Sequence, residues 1–531
     1  MTNILVIFAD DMRYDTLKYM WHGRRRLLAE GYHFTSSRLN IGLCQPARTG
    51  ILTGQYSMRH GVLDNNQADI DGGNVDHNNT VGRWVHDKGY ATAMIGKYMN
   101  GAGTFHPKPT GWDTWRHLTL PDTQDPYQYA SDNGTSQTHP GIFQMTYLKQ
   151  QAISFMQTAT QPWFLYLAPT VPHYPYTPRP DHYHKWHRIQ WPVVDEEDVS
   201  DKPSWIQSLP ALTKADLNLA KGLARDQLRE LLVLDETIEA LFQQLETSSQ
   251  LSNTVVIFHS DNGIHYYEHR TTGPSTKNTV YDVSIHVPLI IRGPGIPIGS
   301  ADVPVNSQDV SATISAIAGA SPSIALDGVD LRDIINNPAT YATRAIPHEL
   351  NDSLADNLAP HPPGLGVTTK NRKLYRFFTT GTDQYEMYEL DNDPNELTNV
   401  ANDSGHLSER NSLEATLNSI DPYARNAVIP GSSGDYLATP SASPLVITGD
   451  IDVRVKVMLN DWTPSAVVIL FSKSTSVANQ RGWRIRVNTT GIIDFQWSTA
   501  GTSFLTAAMS TASGFVDGHG QWVRATMDVD N

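Results

Sequence analysis

Short, continuous apolar runs rich in branched residues constrain the fold of this chain more than any other feature. The first is Asn3–Ala9, and similar runs lie at 93–96, 163–168, 254–259 and 288–291. A strand that is apolar at every position, instead of at alternate positions, is typical of a sheet covered on both faces. The runs therefore predict a largely parallel sheet inside a large domain.

Segments with helical periodicity lie between these runs. Thr80 is expected to cap one helix, residues 145–156 are amphipathic, and leucines recur at helical spacing over 223–245. Ser307 is expected to cap a further helix over 310–317. Strands that alternate with helices predict an α/β/α sandwich, in which ligands collect at the carboxyl ends of the strands. Polar residues that follow the apolar runs are therefore the candidates for a functional site.

Acidic side chains follow two of the predicted strands without a spacer. Asp10 and Asp11 come directly after the first run, and Asp261 and Asn262 follow a later one. An Asp-Asp pair at a strand end is more often a turn or a helix cap than a metal site. Carboxylate and amide oxygens that arrive from two strand ends nevertheless form the all-oxygen site that suits Ca²⁺, with Mg²⁺ as the second choice.

Residues 43–50 hold the only cysteine of the 531 residues, in a Cys-x-Pro-x-Arg frame. A lone cysteine forms no disulfide within the chain, so Cys44 is a buried core thiol, a metal ligand or a nucleophile. Pro46 and the glycines on either side mark a turn that enters a helix, and Arg48 brings a fixed positive charge near the sulfur. Both features argue against the core thiol.

Cationic and titratable side chains also lie at or near predicted strand ends. Lys97 ends one run, His173 lies shortly after another, and Lys277 is downstream of Asp261. A lysine taken alone is more often a solvated surface charge, and a histidine an ordinary loop residue. An anionic substrate, however, needs such a local cluster, because the net charge of −15 does not attract it.

The segment around Cys44 resembles the activation signature of the type I sulfatases, in which this cysteine is oxidised to formylglycine. The resemblance covers Cys44, Pro46 and Arg48, with the Thr-Gly and Leu-Thr-Gly that follow. It implies an alkaline-phosphatase-like α/β/α fold and a hydrated aldehyde as the nucleophile, held by hydrogen bonds from Arg48. It also implies a formylglycine-generating or equivalent maturation enzyme as a partner.

The same resemblance assigns roles to the other candidates. It implies a Ca²⁺ site formed by Asp10, Asp11, Asp261, Asn262 and the modified Cys44. Lys97 and Lys277 would bind sulfate oxygens, and His173 would protonate the leaving alcohol, a role that Lys277 can share. The expected reaction is the hydrolysis of a sulfate ester at its S–O bond.

One position departs from the commoner family pattern, because Met99 stands where many sulfatases carry a histidine. The Gly-Lys-Tyr-x-Asn form found here resembles the glucosamine-6-sulfatase and heparan endosulfatase branch, and it places Asn100 near the hydrate. The segment after Asp261 resembles the same branch, and its His265 and His269 either contact a sugar or brace the loop. The branch predicts a sulfated carbohydrate as substrate, while the base for sulfate release stays open.

The pattern changes to short strands beyond about residue 345, with a Tyr-Glu-Leu strand and an Asp-Pro-x-Glu turn. These resemble the smaller α+β C-terminal subdomain of sulfatases. A Gly-Ser linker then precedes alternating strands, which resemble the start of a concanavalin-like or laminin-G-like β-sandwich that is incomplete at the chain end. The predicted organisation is a catalytic domain over 1–344, a subdomain over 345–429, a linker over 430–434 and a β module over 435–531.

Charge and hydropathy exclude some partners. The net charge of −15 argues against nucleic acid, and no apolar run is long enough for a membrane span. Because the chain enters its first strand at once, we expect a cytoplasmic protein or one whose leader has been removed. Two alternatives stay open: a phosphodiesterase or phosphonate hydrolase on the same scaffold, and a non-catalytic glycan-binding protein in which Cys44 is unmodified.

Overall fold

The computed structural model divides into two compact units, Met1–Phe377 with Gln384–Arg425, and Phe378–Asp383 with Asn426–Asn531. The residues it describes are 1–65, 75–100, 108–118, 128–133, 135–139, 142–186, 188–189, 196–271, 276–350, 361–379 and 383–420, together with 451–458, 468–473, 482–487, 489–490, 493–498, 505–508 and 520–527. The linker predicted at 430–434 lies outside these residues. The domain boundaries drawn from the sequence stay predictions.

The first unit alternates strands and helices along the chain. Its strands are β1 Asn3–Ala9, β2 Tyr32–Phe34, β3 Ala91–Gly96, β4 Thr114–Leu118, β5 Gln128–Asp132, β6 Thr135–His139, β7 Trp163–Ala168, β8 Thr254–Ser260, β9 Leu289–Arg292, β10 Gly299–Ala301, β11 Ile346–Leu350, β12 Gly364–Thr368, β13 Arg372–Phe377 and β14 Gln384–Glu389. Its α-helices are α1 Trp21–Gly23, α2 Cys44–Thr53, α3 Ser57–His60, α4 Val81–His86, α5 Gln144–Thr158, α6 Ser204–Gln207, α7 Lys214–Thr247, α8 Asp282–Ile285, α9 Ser307–Ala318, α10 Leu331–Asn336 and α11 Leu407–Ile420.

The central sheet has the strand order β10-β2-β9-β8-β1-β7-β3-β4-β5-β6. Its middle strands β8, β1, β7, β3 and β4 pair in parallel, as the apolar runs predict. The outer pairs β8–β9 and β4–β5 are antiparallel. Because parallel strands end at the same edge of a sheet, the residues that follow β1, β3, β7 and β8 converge there.

Helices cover both faces of this sheet. Leu5 and Ile7 of β1 pack in one layer with α5 and α7, whereas Ile4 and Val6 pack in the other layer with α2, α4, α9 and α10. Every residue of β1 is buried, which explains why it is apolar without alternation. The α/β/α sandwich predicted from the sequence is confirmed.

Two helices begin earlier than their apolar patterns indicate. The sequence pattern predicts Ser307 as the cap, but Ser307 is the first residue of α9, and Asn306 is the N-cap. Asn306 and Asp309 exchange side-chain to backbone hydrogen bonds of 3.3 and 2.9 Å. Thr213 and Asp216 form the same capping box and start α7 at Lys214. The first turns of both helices are polar, so the capping residues mark these helix starts better than the apolar residues do.

Strands β11 to β14 form a separate antiparallel sheet in the same unit. One face packs on α11 through Leu374 and Met387, and the other places Tyr375 and Tyr388 against Tyr281. The smaller α+β subdomain expected from the sequence is confirmed. None of the helices in the described part of the chain is both long enough and apolar enough to cross a membrane.

The described residues of the second unit are mainly strands. These are β15 Ile451–Met458, β16 Val468–Lys473, β17 Gly482–Val487, β18 Ile493–Ser498, β19 Leu505–Ala508 and β20 Gly520–Met527. β15 pairs with β20, and β16 to β19 form a second antiparallel sheet. This agrees with an all-β module. Its likeness to a concanavalin or laminin-G sandwich stays a prediction.

Candidate active site

A cluster of charged side chains occupies the carboxyl edge of the parallel sheet. Asp10 follows β1, Lys97 follows β3 and Asp261 follows β8, each without a spacer. All three are fully buried. The structure therefore brings together residues that are far apart in the sequence but share a position relative to their strands.

Cys44 is the first residue of α2, and its side chain points into this cluster. Sγ lies 3.8 Å from Oδ1 of Asp10, 4.0 Å from Oδ1 of Asp11 and 3.0 Å from Nζ of Lys277. Burial raises the pKa of the thiol to about 12, although Lys277 and Lys97 act against this rise. An unmodified Cys44 is therefore protonated at neutral pH and is a weak nucleophile.

Arg48 lies one turn after Cys44 and joins three strand ends. Its Nε and Nη2 are 2.9 and 2.7 Å from Oδ2 of Asp261, and Nη2 is 3.2 Å from Oδ2 of Asp10. Nη1 donates a 2.7 Å hydrogen bond to the carbonyl oxygen of Lys97. The guanidinium thus holds two carboxylates in place, and the contact with an aldehyde hydrate stays a prediction.

Lys97 is placed by the glycine before it. Gly96 has φ 119°, and a Cβ there would lie 2.0 Å from the carbonyl oxygen of Ala168 on β7. Glycine permits this approach, and the N–H of Lys97 donates a 2.6 Å hydrogen bond to the same oxygen. Nζ of Lys97 then reaches Oδ2 of Asp10 at 2.7 Å. Burial favours a protonated Asp10, but Lys97 and Arg48 outweigh it and hold the pKa of Asp10 below its usual range.

Lys277 and His173 form the less enclosed side of the cluster, with side chains that are 9% and 16% exposed. Nζ of Lys277 is 2.7 Å from Oδ1 of Asp11 and 3.3 Å from Nε2 of His173. Burial acts against the charge of Lys277, but Asp11 and Cys44 outweigh it, so its pKa lies well above the usual value. Burial lowers the pKa of His173 in spite of the nearby Asp11.

The oxygen atoms of this cluster fit a hard divalent cation. Donor atoms of Asp10, Asp11, Cys44 and His173 all lie within 4.8 Å of one another. Oδ1 of Asn262 is buried, and among the described residues it accepts no hydrogen bond. Burial and the charge of Asp10 raise the pKa of Asp261 to about 7, a rise that a bound cation would reverse. Asp10, Asp11 and Cys44 are thus shared by this group and by the predicted ligand set, His173 is an addition to that set, and the roles of Asp261 and Asn262 as ligands stay predictions.

His265 and His269 have protein partners in the loop after β8. Nε2 of His265 is 2.6 Å from the hydroxyl oxygen of Thr279. His269 stacks on Tyr281 with 3.6 Å between ring centroids and pairs with Glu196 at 3.1 Å. Both rings are buried, so these contacts favour the bracing role, and contact with a sugar stays a prediction.

The two positions after Lys97 and Tyr98 differ in their surroundings. The sulfur of Met99, in the place where a histidine is commoner, accepts a 3.8 Å contact from the hydroxyl of Thr49. Oδ1 of Asn100 is buried and accepts no hydrogen bond from the described residues, while the residue as a whole is partly exposed. Its role beside the hydrate stays a prediction.

Three residues that support the site were not identified from the sequence. Oδ1 of Asn65 accepts the N–H of Gln45 at 3.1 Å in the first turn of α2, and no local pattern indicates this contact. Gln227 donates to the backbone of Asp11, and Glu230 accepts the N–H of Thr177 in the loop that carries His173. The sequence does contain an indication of Gln227 and Glu230, because they are polar residues at positions where the helical pattern of α7 predicts buried apolar ones.

Comparison with known proteins gives two family matches and several relatives. The family model described as sulfatase matches residues 2–320, and a model described as N-sulphoglucosamine sulphohydrolase, C-terminal, matches 271–422. An arylsulfatase of Volvox carteri is 26% identical over 484 residues, which cover 78% of this chain and 74% of that protein. The N-acetylglucosamine-6-sulfatase of Homo sapiens is 28% identical over 337 residues, which cover 59% of this chain and 60% of that protein.

A solved structure has a similar fold. It is described as a complex with its substrate D-glucosamine-2-N,6-O-disulfate, and it superposes with a TM-score of 0.67 at 20% identity. The superposition covers 79% of this chain and 97% of that one. At this identity the comparison establishes the architecture, and it agrees with the α/β sandwich and its smaller β subdomain.

Proposed function

The chain belongs to the sulfatase family, whose members are sulfuric ester hydrolases of the alkaline-phosphatase-like fold, and we propose that it hydrolyses a sulfated carbohydrate by means of a formylglycine derived from Cys44. The family model matches residues 2–320, which include the candidate residues of the active site. The nature of the nucleophile, the identity of the cation and the substrate are the parts of this proposal that go beyond family membership.

The position of Cys44 is the observation that carries the proposal. Its sulfur lies within 4.0 Å of two carboxylates and 3.0 Å of an ammonium group, in a site whose burial keeps the thiol protonated. A protonated thiol is a poor nucleophile, and sulfur is a poor ligand for a hard cation. Replacement of the thiol by a hydrated aldehyde would place oxygen atoms where Sγ lies, and it would remove both disadvantages.

One hydroxyl of the hydrated aldehyde would attack the sulfur atom of the sulfate ester. Deprotonation of the second hydroxyl would then expel the sulfate from the enzyme and restore the aldehyde. A divalent cation held by Asp10, Asp11, Asp261 and Asn262, which we propose is Ca²⁺, would polarise a sulfate oxygen. Arg48 fixes the carboxylates of Asp10 and Asp261 at the distances given above. The chain itself thus provides buried charged groups, held by mutual contacts, beside the position where charge would develop on the ester.

Lys277 and His173 are placed to act on the leaving group. Their Nζ and Nε2 atoms are 3.3 Å apart, so the two side chains can share one proton. As the S–O bond to the alcohol breaks, this proton passes to the alcohol oxygen, and the alcohol leaves neutral. Lys97 offsets the charge of Asp10 at 2.7 Å, which lowers the repulsion that an anionic sulfate group meets.

The proposed substrate class comes from the relatives. One is named N-acetylglucosamine-6-sulfatase, and the similar solved structure is described as a complex with D-glucosamine-2-N,6-O-disulfate. The Gly-Lys-Tyr-x-Asn form at residues 96–100 supports the same branch. A formylglycine-generating or equivalent enzyme is the partner that this function requires.

Mass spectrometry of the peptide that contains Cys44 tests the nucleophile directly. We expect the mass of an aldehyde in place of a thiol, in protein made by a host that has the maturation enzyme. Turnover should be faster on a glucosamine 6-sulfate than on a matched phosphodiester or phosphonate ester. Full sulfatase activity with an unmodified thiol would contradict the formylglycine proposal, and preference for the phosphodiester or phosphonate would support the alternative hydrolase.

A further inference from the structure

A buried glutamine of α7 contacts the backbone of the active site. Nε2 of Gln227 donates a 2.9 Å hydrogen bond to the carbonyl oxygen of Asp11. Gln227 is fully buried and lies on the same stripe as Leu223 and Leu231, which pack on the central sheet. Burial of a polar side chain at such a position costs free energy unless the side chain forms hydrogen bonds.

The amide oxygen of Gln227 shows that packing alone does not explain why a glutamine occupies this position. Oε1 of Gln227 is buried and accepts no hydrogen bond from the described residues. A leucine or methionine of similar volume would fill this space and remove the unpaired Oε1, but it would leave the carbonyl oxygen of Asp11 without this donor. The one favourable polar contact described for this side chain is therefore the contact with Asp11.

Asp11 has a backbone conformation that needs support. Its φ is 62°, in the left-handed region, which aspartate adopts more readily than most residues but which is still less favourable than the right-handed region. Its N–H donates a 3.0 Å hydrogen bond to Oδ1 of Asp261, and its carbonyl oxygen accepts from Gln227. Both backbone polar groups of Asp11 are thus held by side chains that lie more than 200 residues away in the chain.

This conformation sets the direction of the Asp11 carboxylate. Oδ1 lies 2.7 Å from Nζ of Lys277 and 2.5 Å from Nδ2 of Asn262, at the centre of the cluster. A buried carbonyl that lost its donor would gain by turning toward another partner. Such a turn changes the backbone angles of Asp11 and moves its carboxylate away from the other oxygens.

We propose that Gln227 is a positioning residue, which holds the backbone of Asp11 in the left-handed conformation that directs this carboxylate to the cation. The proposal rests on the proposed function, because it takes Asp11 as a ligand of a divalent cation. Gln227 is not one of the proposed ligands of the cation, and its described polar contact is with the backbone of Asp11. Its effect passes through one carbonyl oxygen of the chain.

The test compares two substitutions on the same helix. Gln227→Met keeps the volume and removes the donor, while Leu231→Met changes a buried side chain that does not contact Asp11. The full chain is stripped of metal and titrated with CaCl₂ by calorimetry, and thermal unfolding of the metal-free proteins is recorded. We expect both variants to unfold at lower temperature. The dissociation constant for Ca²⁺ should rise about 10- to 100-fold in Gln227→Met alone.

A residue with only a packing role would lower the unfolding temperature without changing the affinity for Ca²⁺. Equal dissociation constants for the wild type and Gln227→Met would therefore overturn the role of Gln227 and leave the proposed function intact. A wild-type chain that binds neither Ca²⁺ nor Mg²⁺ would overturn the metal site as well. Where Gln227→Met does not fold, Gln227→Asn, which stays polar but is too short to reach Asp11, carries the same expectation.

Discussion

Nζ of Lys277 lies 3.0 Å from Sγ of Cys44, closer to the sulfur than the carboxylate oxygens of Asp10 and Asp11 are. The same ammonium group contacts Asp11 and His173. One side chain therefore joins the proposed nucleophile, a proposed metal ligand and the proposed acid. Its removal should affect the chemical step more than the binding of substrate.

Lys277→Met is expected to lower kcat for a sulfate ester by about 10²- to 10⁴-fold, because it removes a proton donor and a charge that faces the ester. KM should change much less. Steady-state kinetics with Lys88→Met as the control checks this, since Lys88 is an exposed lysine outside the cluster. A loss of kcat below about tenfold would argue against a direct role of Lys277.

His173→Gln should have an effect that depends on the leaving group. Alcohols leave poorly as anions and need a proton, whereas nitrophenol does not. We expect kcat to fall about 10²-fold or more for a sugar sulfate and clearly less for nitrophenyl sulfate. His86→Gln, at a side chain that is 41% exposed, is the control. Equal losses on both substrates would show that His173 does not take part in protonation of the alcohol.

Removal of divalent cations should reduce both activity and stability. Asp10, Asp11 and Asp261 are buried together, and a cation that binds only the folded state stabilises it by about 2.7 kcal/mol at 100 times its dissociation constant. Thermal unfolding with a chelator, and after addition of Ca²⁺ or Mg²⁺, measures this shift. Asp261→Asn should weaken the response, and Asp87→Asn at an exposed aspartate should not. An unfolding temperature that changes neither with chelator nor with added Ca²⁺ or Mg²⁺ would rule out the proposed metal site.

Glu386 of β14 should make the stability of the protein depend on pH. Burial raises its pKa from an ordinary value of 4.5 to about 7, and its carboxyl accepts hydrogen bonds from Tyr281 and Tyr388. The folded state therefore binds this proton more tightly than the unfolded state. The resulting stability is complete below about pH 4.5 and is lost as the pH rises to about 7, by about 3 kcal/mol in total.

Glu386→Gln stays neutral at every pH, so its free energy of unfolding should fall less between pH 5 and pH 8 than that of the wild type. Urea unfolding at four pH values over this range measures the difference. Glu197→Gln, at an exposed position, should follow the wild type. Parallel curves for Glu386→Gln and the wild type would show that Glu386 does not titrate in this range.

Much of the site's position could be predicted from the sequence, because its residues follow recognisable strands. Asp10, Lys97 and Asp261 each come directly after an apolar run, and parallel strands bring such residues to one edge. Cys44 was identified by a short motif instead of by periodicity. Local pattern and motif together were sufficient to find these four.

The supporting contacts could not be predicted in this way. The side chain of Asn65 reaches Gln45, and the side chain of Gln227 reaches Asp11, across distances in sequence that no local pattern spans. His269 pairs with Glu196, 73 residues earlier in the chain, and no local pattern indicates this contact. Helix starts depend on single capping residues, which is why α9 begins at Ser307 and not later.

The burial of α2 bears on whether modification of Cys44 would precede or follow folding. Each of the ten residues from Cys44 to Thr53 is buried, so a second protein has no access to this segment once it is packed. A small sulfate group would approach on the side of Lys277 and His173, whose side chains are 9% and 16% exposed. The proposed conversion of Cys44 would therefore have to take place before folding is complete, and a chain that folds with its thiol intact would have to unfold again before it could be converted.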